Sequence, residues 1–343
     1  MSSFSLFDTF TPDRIMLRAP NWLGDCIMAI PGMKAFRDLY PAARITVAVK
    51  EAFQELYSSE PWCDDCCSIR SFRKQSFDMA VLYPNSFASA WESFRARIPV
   101  RVGYGRDCRS FMLSHRVKAD KEILNVHQVL YYMRLTDSVR KTTPAPEIKG
   151  KDNLPLPELT VSGQIREHMR GILKERLNKD PEQEKPAVWA PGASYGPAKQ
   201  WPEEHVIQTI QTIYKQSGIK TVLVGGRDEQ ETCSRIQEST PEAAVSLCGE
   251  TTIGELAGLL SWGCQYVGND SGASHMAGAV GIPTLVLFGS TSPSHTVPLG
   301  PCVDWISLDL DCSPCMKRKC PLHHRKCLYD ITPEMVLEKL VIS

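Results

Sequence analysis

The sequence predicts an α/β fold of two doubly wound domains, each a parallel sheet with helices on both faces. Strand-like and helix-like segments alternate in both halves of the chain, which is typical of parallel sheets. The length of 343 residues exceeds the roughly 250–300 residues at which one core stops growing. A proline-rich, charged stretch at residues 140–186 separates the halves. We therefore expect an N-terminal domain at residues 1–160, ending in that linker, and a C-terminal domain at residues 187–343.

The N-terminal half begins with an apolar strand at residues 14–18. A helix is expected to follow from Asp25 to about Tyr40. Two further apolar runs predict strands at residues 44–49 and 78–83. Together these segments indicate one parallel sheet covered by helices.

The C-terminal half repeats this alternation. The expected strands lie at residues 187–190, 221–224, 245–247 and 284–288. The expected helices lie between Pro202 and Gly218, from about residue 228, at residues 253–261, and from Pro333 onward, and one further helix is expected in the linker at residues 161–177. The helix from Pro333 onward could pack back on the N-terminal domain.

The carboxyl ends of the predicted strands carry the candidate ligand contacts. Ligands of doubly wound sheets bind at those ends, and two such domains place a cleft between them. The residues that follow the strands, and are expected to face a common cleft, are Asp25, Asn85, Ser194, Gly225 and Asp270.

Composition excludes several classes of protein. The formal net charge is zero, so overall charge indicates no partner. The N-terminus lacks a basic, apolar leader and no stretch approaches the roughly 18 apolar residues of a membrane span, so we expect a cytoplasmic protein. No G-x-G-x-x-G follows the first strand and no Walker motif occurs, which disfavours dinucleotide oxidoreduction and P-loop chemistry.

The segment at residues 268–275, G-N-D-S-G-A-S-H, predicts a strand-to-helix corner. The start of a helix offers N–H groups and a positive dipole end to a phosphate. The alternative is an ordinary corner in which Asp270 or Ser271 caps the helix. A carboxylate would repel a diphosphate, so Asp270 is expected to point to a sugar or cap the backbone.

A second candidate is the loop at residues 191–202, which delivers Lys199 just before a helix. A compact ammonium at this place suits a phosphate clamp, whereas a solvated surface lysine is the alternative. Residues 192–196 also match G-x-S-x-G. Pro197 and Pro202 delay the helix that a nucleophile elbow needs, so hydrolysis is disfavoured.

Asp25 lies at a predicted helix start in the N-terminal half. It could be a helix cap, or a general base that takes a proton from an acceptor hydroxyl.

Residues 66–121 form a basic sector of the chain. They contain eleven Lys and Arg and four Asp and Glu, an excess of seven positive charges. That sector is either a solvated face or the contact for an anionic partner. No nucleic-acid signature accompanies it.

Four of the thirteen cysteines form a C-x2-C-x4-C-x6-C cluster near the C-terminus. With no export signal, reduced thiols or metal ligands are expected rather than disulfides. Cys312, Cys315, Cys320 and Cys327 could close a tetrahedral structural zinc site. A disulfide, or a reduced structural loop without metal, is the alternative.

Taken together, four motifs resemble the bacterial lipopolysaccharide heptosyltransferases, and among them the heptosyltransferase II group. They read N-W-L-G-D at residues 21–25, L-Y-P-N-S-F at residues 82–87, P-G-A followed by G-P-A-K-Q-W-P at residues 191–202, and N-D-S-G with a following histidine at residues 269–275. The resemblance implies a GT-B enzyme, two Rossmann-like domains facing a central cleft, that inverts the anomeric centre and needs no catalytic metal. It implies ADP-L-glycero-D-manno-heptose as donor and heptosyl-Kdo2-lipid A as acceptor. Its place would be the cytoplasmic face of the inner membrane, in peripheral contact with it and without nucleic acid.

The resemblance also assigns residues. It implies that Asp25 is the base and that the donor contacts are Ser194, Lys199, Glu229, Asp270, Ser271, Gly272 and His275. Lys199 would stabilise the leaving diphosphate. For an acceptor that bears phosphates and carboxylates, we expect contacts from Asn85, Arg97, Arg101, Arg106 and Arg109.

Two alternatives stay open at the level of sequence. One is a related GT-B protein acting on another nucleotide sugar, such as an epimerase or a heptosyltransferase of different regiochemistry. The other is a zinc-stabilised module that binds anionic polymers without catalysis.

Overall fold

The computed structural model describes residues 10–140, 154–193 and 195–341. These residues form two compact units that divide after Pro157. The helix at residues 163–177, which falls in the predicted linker, belongs to the second unit. There the Trp262 indole donates to the Arg166 carbonyl at 2.7 Å, and the Arg166 guanidinium stacks over the indole ring.

The first unit is a six-stranded, all-parallel sheet. Its strands are β1 (Arg14–Arg18), β2 (Arg44–Val49), β3 (Asp65–Ser68), β4 (Met79–Leu82), β5 (Val100–Tyr104) and β6 (His115–Val117). Their spatial order is β3-β2-β1-β4-β5-β6, the order of a dinucleotide-binding fold. The helices are α1 (Leu23–Met28), α2 (Ile30–Leu39), α3 (Phe87–Arg95), α4 (Lys121–Leu124) and α5 (Gln128–Asp137).

The second unit repeats the same topology. Its strands are β7 (Ala187–Ala190), β8 (Thr221–Leu223), β9 (Ala244–Ser246), β10 (Gln265–Asn269), β11 (Thr284–Phe288) and β12 (Val303–Ser307). They are parallel in the order β12-β11-β10-β7-β8-β9. The helices are α6 (Gly163–Leu177), α7 (Glu203–Ser217), α8 (Gln230–Ser239), α9 (Ile253–Leu260), α10 (Gly272–Val280), α11 (Pro293–Thr296), α12 (Lys326–Tyr329) and α13 (Pro333–Leu337).

The predicted α/β class and the two doubly wound sheets are confirmed. The central strands are buried on both faces, which explains their nearly continuous apolar sequences. The expected single helix at residues 25–40 is two helices, because α1 ends before Ala29 and α2 begins at Ile30. Pro31 has no N–H to continue the hydrogen-bond ladder of α1. Strands β3, β5, β6 and β12 were not predicted, because polar residues interrupt their apolar runs.

The last helix, α13, packs within its own unit. Val336 is fully buried in a core cluster that includes residues of α7. Just before α13, the Ile331 carbonyl accepts from the Trp201 indole at 2.9 Å. The apolar face of α13 is therefore covered inside the second unit. In the described part of the chain, none of the helices combines the length and apolar character needed to cross a bilayer.

Candidate functional site

Each sheet has one point at which its strand order reverses, and the loops there bind ligands in doubly wound folds. In the first unit that point lies between the adjacent strands β1 and β4. Asp25, in the first turn of α1, follows β1, and Asn85 lies in the loop after β4. In the second unit it lies between β7 and β10, whose loops carry Lys199 and Asp270. The candidate residues of the sequence therefore gather at both reversal points.

Lys199 and Asp270 form a nearly buried ion pair. The ammonium lies 2.5 Å from Asp270 Oδ2 and donates to the Asp270 carbonyl at 3.2 Å. The two side chains are 12% and 5% exposed. Thr291, which sequence analysis did not single out, donates its hydroxyl to the same Oδ2 at 2.6 Å. Asp270 thus fixes the ammonium at the start of α10, where we had expected its carboxylate to cap the backbone or face a sugar.

The lysine loop is held in place by contacts on both sides. The Lys199 ammonium lies 4.9 Å from the centre of the Tyr195 ring, whose hydroxyl donates to the Met316 carbonyl at 3.0 Å. The Ala198 N–H donates to the Arg318 carbonyl at 3.2 Å. Ser194, a predicted donor contact, lies outside the described residues.

Asn269 joins the two loops and was missed as a functional residue. Its amide donates to the carbonyls of Pro191 and Gly192 at 2.8 and 3.1 Å. Its oxygen accepts from the Trp201 N–H at 3.0 Å. At 1% exposure it is a structural link that sets where Lys199 meets the corner. Its signals in the sequence are its position at the end of an apolar strand and its place in the N-D-S-G motif.

Helix α10 begins at Gly272, as the corner predicts. Ser271 is its N-cap residue, but the serine side chain makes no capping hydrogen bond. Small residues let the helix lie close to its neighbours, since a Cβ on Gly278 would come within 2.8 Å of the Leu299 carbonyl oxygen. His275, one turn into the helix, is only 4% exposed.

Glu229 lies next to the first part of the lysine loop. Its Oε2 accepts from the Gly226 N–H at 2.7 Å. A Cβ on Gly192 would lie 2.1 Å from Glu229 Oε1, so the close approach of this carboxylate requires glycine at position 192. Burial raises the pKa of Glu229, and the Gly226 N–H only partly opposes that effect. A half-buried carboxylate beside this loop can accept hydrogen bonds from sugar hydroxyls.

In the first unit Asp25 accepts a hydrogen bond of 2.9 Å from the Tyr132 hydroxyl. Tyr132 is buried, and burial followed by the Asp25 charge raises its pKa well above the ordinary value. Tyr132 therefore stays protonated and donates its hydroxyl hydrogen to the Asp25 carboxylate. A partially exposed, hydrogen-bonded carboxylate can accept a proton from a hydroxyl that reaches it.

Asn85 is held by Tyr131, the residue before Tyr132 on α5. The Asn85 amide donates to the Tyr131 hydroxyl at 2.8 Å. Arg106, which is exposed, also contacts that hydroxyl. Sequence analysis missed both tyrosines because it predicted no helix at α5.

Two of the predicted acceptor arginines serve the fold. Arg109 is 0% exposed and donates to the Tyr104 carbonyl at 3.0 Å, to the Ser89 hydroxyl at 3.1 Å and to the Pro84 carbonyl. It has no surface for an acceptor, so its predicted contact is wrong. Arg101 is half-buried and donates to the Met112 carbonyl at 2.6 Å, whereas Arg97 and Arg106 are exposed.

The four C-terminal cysteines line one cavity of about 20 Å³. This space holds a single water-sized occupant. Backbone N–H groups from Leu322 to Arg325 surround the Cys320 sulfur, and they lower its pKa, the Arg325 N–H most of all. Within the three described ranges, no group of three or more ligand side chains already stands in metal-binding geometry. The thiols share a cavity without forming a finished metal centre.

The loop at residues 312–327 carries the four cysteines, and we call it the cysteine loop. It contacts the loop that carries Lys199 and the segment after β11 that leads to Thr291. Besides the contacts of Met316 and Arg318 given above, Ser313 donates its hydroxyl to the Gly289 carbonyl at 2.6 Å. The Met316 N–H donates to the Ser290 carbonyl at 2.7 Å, next to Thr291. In the sequence the cysteine cluster is a separate feature, but in the fold it supports the loop that carries Lys199.

Comparison with known proteins gives relatives over the whole length. The chain is 29% identical to lipooligosaccharide heptosyltransferase 2 of Haemophilus influenzae, over 95% of this chain and 98% of that protein. It is 28% identical to lipopolysaccharide heptosyltransferase 2 of Salmonella typhimurium, over 95% of this chain and 97% of that protein. The solved structure of Escherichia coli ADP-heptose lipopolysaccharide heptosyltransferase II superposes with a TM-score of 0.80 at 28% identity, over 95% and 97%.

The family model for glycosyltransferase family 9 (heptosyltransferase) matches residues 68–326. That stretch runs from the end of β3 in the first unit to the residue before Cys327, the last cysteine of the cluster. Two doubly wound α/β units in one glycosyltransferase chain are what the GT-B prediction requires. The match favours an enzyme over a non-catalytic binding module. The chain belongs to glycosyltransferase family 9.

Proposed function

We propose that this enzyme transfers L-glycero-D-manno-heptose from ADP-heptose to the first heptose of heptosyl-Kdo2-lipid A, with inversion at the anomeric carbon. The observation that carries the proposal is the Lys199–Asp270 corner at the strand-order reversal of the second unit. Heptosyltransferases 2 are similar over 95% of the chain, which supports the choice of sugar and acceptor.

The donor side of the proposal rests on the second unit. The diphosphate of ADP-heptose would lie at the N-terminus of α10 near Lys199, where N–H groups and an ammonium face it. An ammonium has three donors, and Asp270 takes two of them, which leaves one for phosphate. Glu229 would accept from the adenosine ribose. The other proposed members of this site are Ser194, Ser271, Gly272 and His275. His275 would contribute through the packing of α10.

The chemical step needs a base and a stabilised leaving group. The acceptor hydroxyl oxygen forms the new bond to the anomeric carbon while the bond from that carbon to the phosphate oxygen breaks. Asp25 takes the hydroxyl proton, and ADP leaves with the electron pair of the broken bond. Lys199 and the α10 N–H groups stabilise the negative charge that develops on the diphosphate. The proposed reaction needs no catalytic metal.

The acceptor side rests on the first unit. Asn85 and Arg106, which meet at the Tyr131 hydroxyl, and the exposed Arg97 are the proposed contacts for core phosphates and Kdo carboxylates. Arg101 and Arg109 are not proposed contacts, because Arg101 is half-buried and donates to backbone carbonyls and Arg109 is fully buried. Because lipid A anchors the acceptor in the membrane, the enzyme would work at the cytoplasmic face of the inner membrane, in peripheral contact with it.

A structural zinc at the cysteine cluster is a further part of the proposal. The sulfurs of Cys312, Cys315, Cys320 and Cys327 line one ion-sized cavity, and four thiolates suit zinc. Binding would have to draw the sulfurs together. Four protein ligands leave no open position for chemistry, so the ion would stabilise the loop that supports Lys199.

The test is mass spectrometry of defined acceptors incubated with ADP-heptose and the purified enzyme. Heptosyl-Kdo2-lipid A should gain one heptose, and Kdo2-lipid A without the first heptose should not. Asp25→Ala should lower turnover by about a hundredfold or more and leave ADP affinity unchanged. Transfer to Kdo2-lipid A alone would refute the proposed acceptor, and unchanged turnover of Asp25→Ala would refute the base.

A further inference from the structure

Four exposed aromatic side chains form one continuous surface on the first unit, which we call the aromatic surface. Phe87, Trp91 and Phe94 recur at the spacing of one helix face on α3, and Phe111 lies beside them. They are 46%, 41%, 42% and 64% exposed. Their ring centres lie 6.1–6.4 Å apart along the chain of contacts Phe94–Trp91–Phe87–Phe111. Contiguous exposed apolar patches mark interaction sites.

Helix α3 is oriented against the usual rule of amphipathic helices. Its buried face carries the small residues Ser89, Ala90 and Ser93, all at 2% exposure or less. Its large aromatic residues face solvent instead, although an amphipathic helix normally turns such residues toward the core. Ala90 is the residue of α3 that belongs to the buried core cluster, and the aromatic side chains lie outside that cluster.

The loop that carries Phe111 is fixed by two arginines. Arg109 is fully buried and donates to carbonyls at the carboxyl ends of two adjacent strands, Pro84 just after β4 and Tyr104 at the end of β5. Arg101 donates to the Met112 carbonyl, one residue past Phe111, at 2.6 Å. The most exposed ring of the surface is therefore held outward by a rigid backbone, which lowers the entropic cost of binding through it.

The rim of the aromatic surface is basic. The Arg95 guanidinium lies 6.0 Å from the centre of the Trp91 ring, and that of Arg101 lies 5.4 Å from the Phe94 ring. The one carboxylate of α3, Glu92, lies 3.9 Å from Arg73. Residues 66–121 as a whole carry an excess of seven positive charges in a chain of zero net charge. The partner is therefore expected to be anionic as well as able to receive aromatic rings.

We propose that the aromatic surface docks on a phospholipid bilayer that contains anionic lipid. Aromatic side chains settle at the interface between head groups and acyl chains, and the exposed Arg95 at the rim pairs with lipid phosphates. The inference rests on the proposed function, whose acceptor is anchored in a membrane. It adds the contact itself: Asn85, a proposed acceptor contact, lies two residues before α3, and Ser86 caps that helix through the Ser89 N–H.

The experiment measures binding of the full chain to vesicles of phosphatidylcholine with and without phosphatidylglycerol. Wild type should bind the anionic vesicles, and added salt should weaken the binding. Trp91→Ser combined with Phe111→Ser should weaken it about tenfold or more. The matched control is Trp305→Ser, because Trp305 is 40% exposed on the second unit and should leave binding unchanged. Arg95→Gln should weaken binding to anionic vesicles only.

Transfer to a soluble, deacylated acceptor separates this inference from the proposed function. The Trp91/Phe111 variant should keep wild-type turnover on that acceptor, which also shows that it is folded. Three results would overturn the docking surface: no vesicle binding by wild type, equal binding by the variant, or a wild-type dimer that the variant converts to monomer. Absence of heptose transfer by wild type would instead refute the function.

Discussion

Asp270 neutralises Lys199 inside the second unit, with 2.5 Å between the ammonium and Oδ2. The two residues are 71 positions apart and come from the loops after β7 and β10. A carboxylate next to a proposed diphosphate site looks unfavourable, but it holds the ammonium at one point, and a fixed cation serves a developing charge without reorganising. The pair explains how a nearly buried lysine ammonium is held in place before an anionic ligand binds.

The first prediction concerns stability. Lys199→Ala should lower the free energy of unfolding by about 3 kcal/mol, because it leaves a buried carboxylate without its charge partner. Asp270→Ala should cost a similar amount, and the double variant should cost less than the sum of both. Urea unfolding measures all three. The control Lys215→Ala, at an exposed position on α7, should stay within about 0.5 kcal/mol of wild type. Additive effects would contradict a coupled pair.

The second prediction concerns the donor. Lys199→Met keeps most of the side-chain volume but removes the charge, and should weaken ADP binding about 10- to 100-fold, the value of one or two charge-assisted hydrogen bonds. Isothermal titration calorimetry with ADP measures this directly. If Lys199→Met binds ADP as wild type does, the ammonium does not contact the diphosphate.

The third prediction concerns pH and the base. Tyr132→Phe removes a donor that stabilises ionised Asp25, so protonation of Asp25 becomes easier. The acid limb of the kcat/KM profile should therefore move to higher pH, by up to about one unit. The neighbouring Tyr131→Phe, which loses contacts with Asn85 and Arg106, should raise KM for the acceptor without moving that limb. Identical profiles for Tyr132→Phe and wild type would show that the hydroxyl does not act on the base.

The fourth prediction concerns Glu229, whose pKa burial raises. If the carboxylate accepts from the ribose, ADP affinity falls as the pH falls through this pKa, and the fall begins at higher pH than for an ordinary glutamate. Glu229→Gln has no such titration. The ratio of wild-type to Glu229→Gln affinities, measured across pH, removes the titration of ADP itself. A ratio that does not change with pH would place the ribose elsewhere.

The fifth prediction concerns the cysteines. Purified wild type should contain about one equivalent of zinc by elemental analysis, in line with a closed four-thiolate site. Cys315→Ser should lose the metal and weaken ADP binding, because the cysteine loop supports Lys199. The matched control is Cys302→Ser, which replaces an exposed cysteine of the same unit. It should change neither the zinc content nor ADP binding. Less than about one-tenth of an equivalent in wild type would rule out a resident zinc.

The sequence by itself determined the fold class and the places of the corners. Alternation of apolar strands and helices predicted both sheets, and glycines and prolines located the loops with Asp25, Lys199 and Asp270. These features are local, since periodicity and turn chemistry act over a few residues. They therefore remain legible in one chain without any tertiary contact.

Only the tertiary structure decided the partners. Strand order brings Lys199 to Asp270 over 71 residues and Tyr132 to Asp25 over 107, and no local pattern encodes which loops become neighbours. The same holds for the arginines. Arg109 and Arg106 look alike in sequence, yet one is buried among carbonyls and the other faces solvent. Burial is a property of the packed chain, and it separates a structural arginine from a proposed acceptor contact.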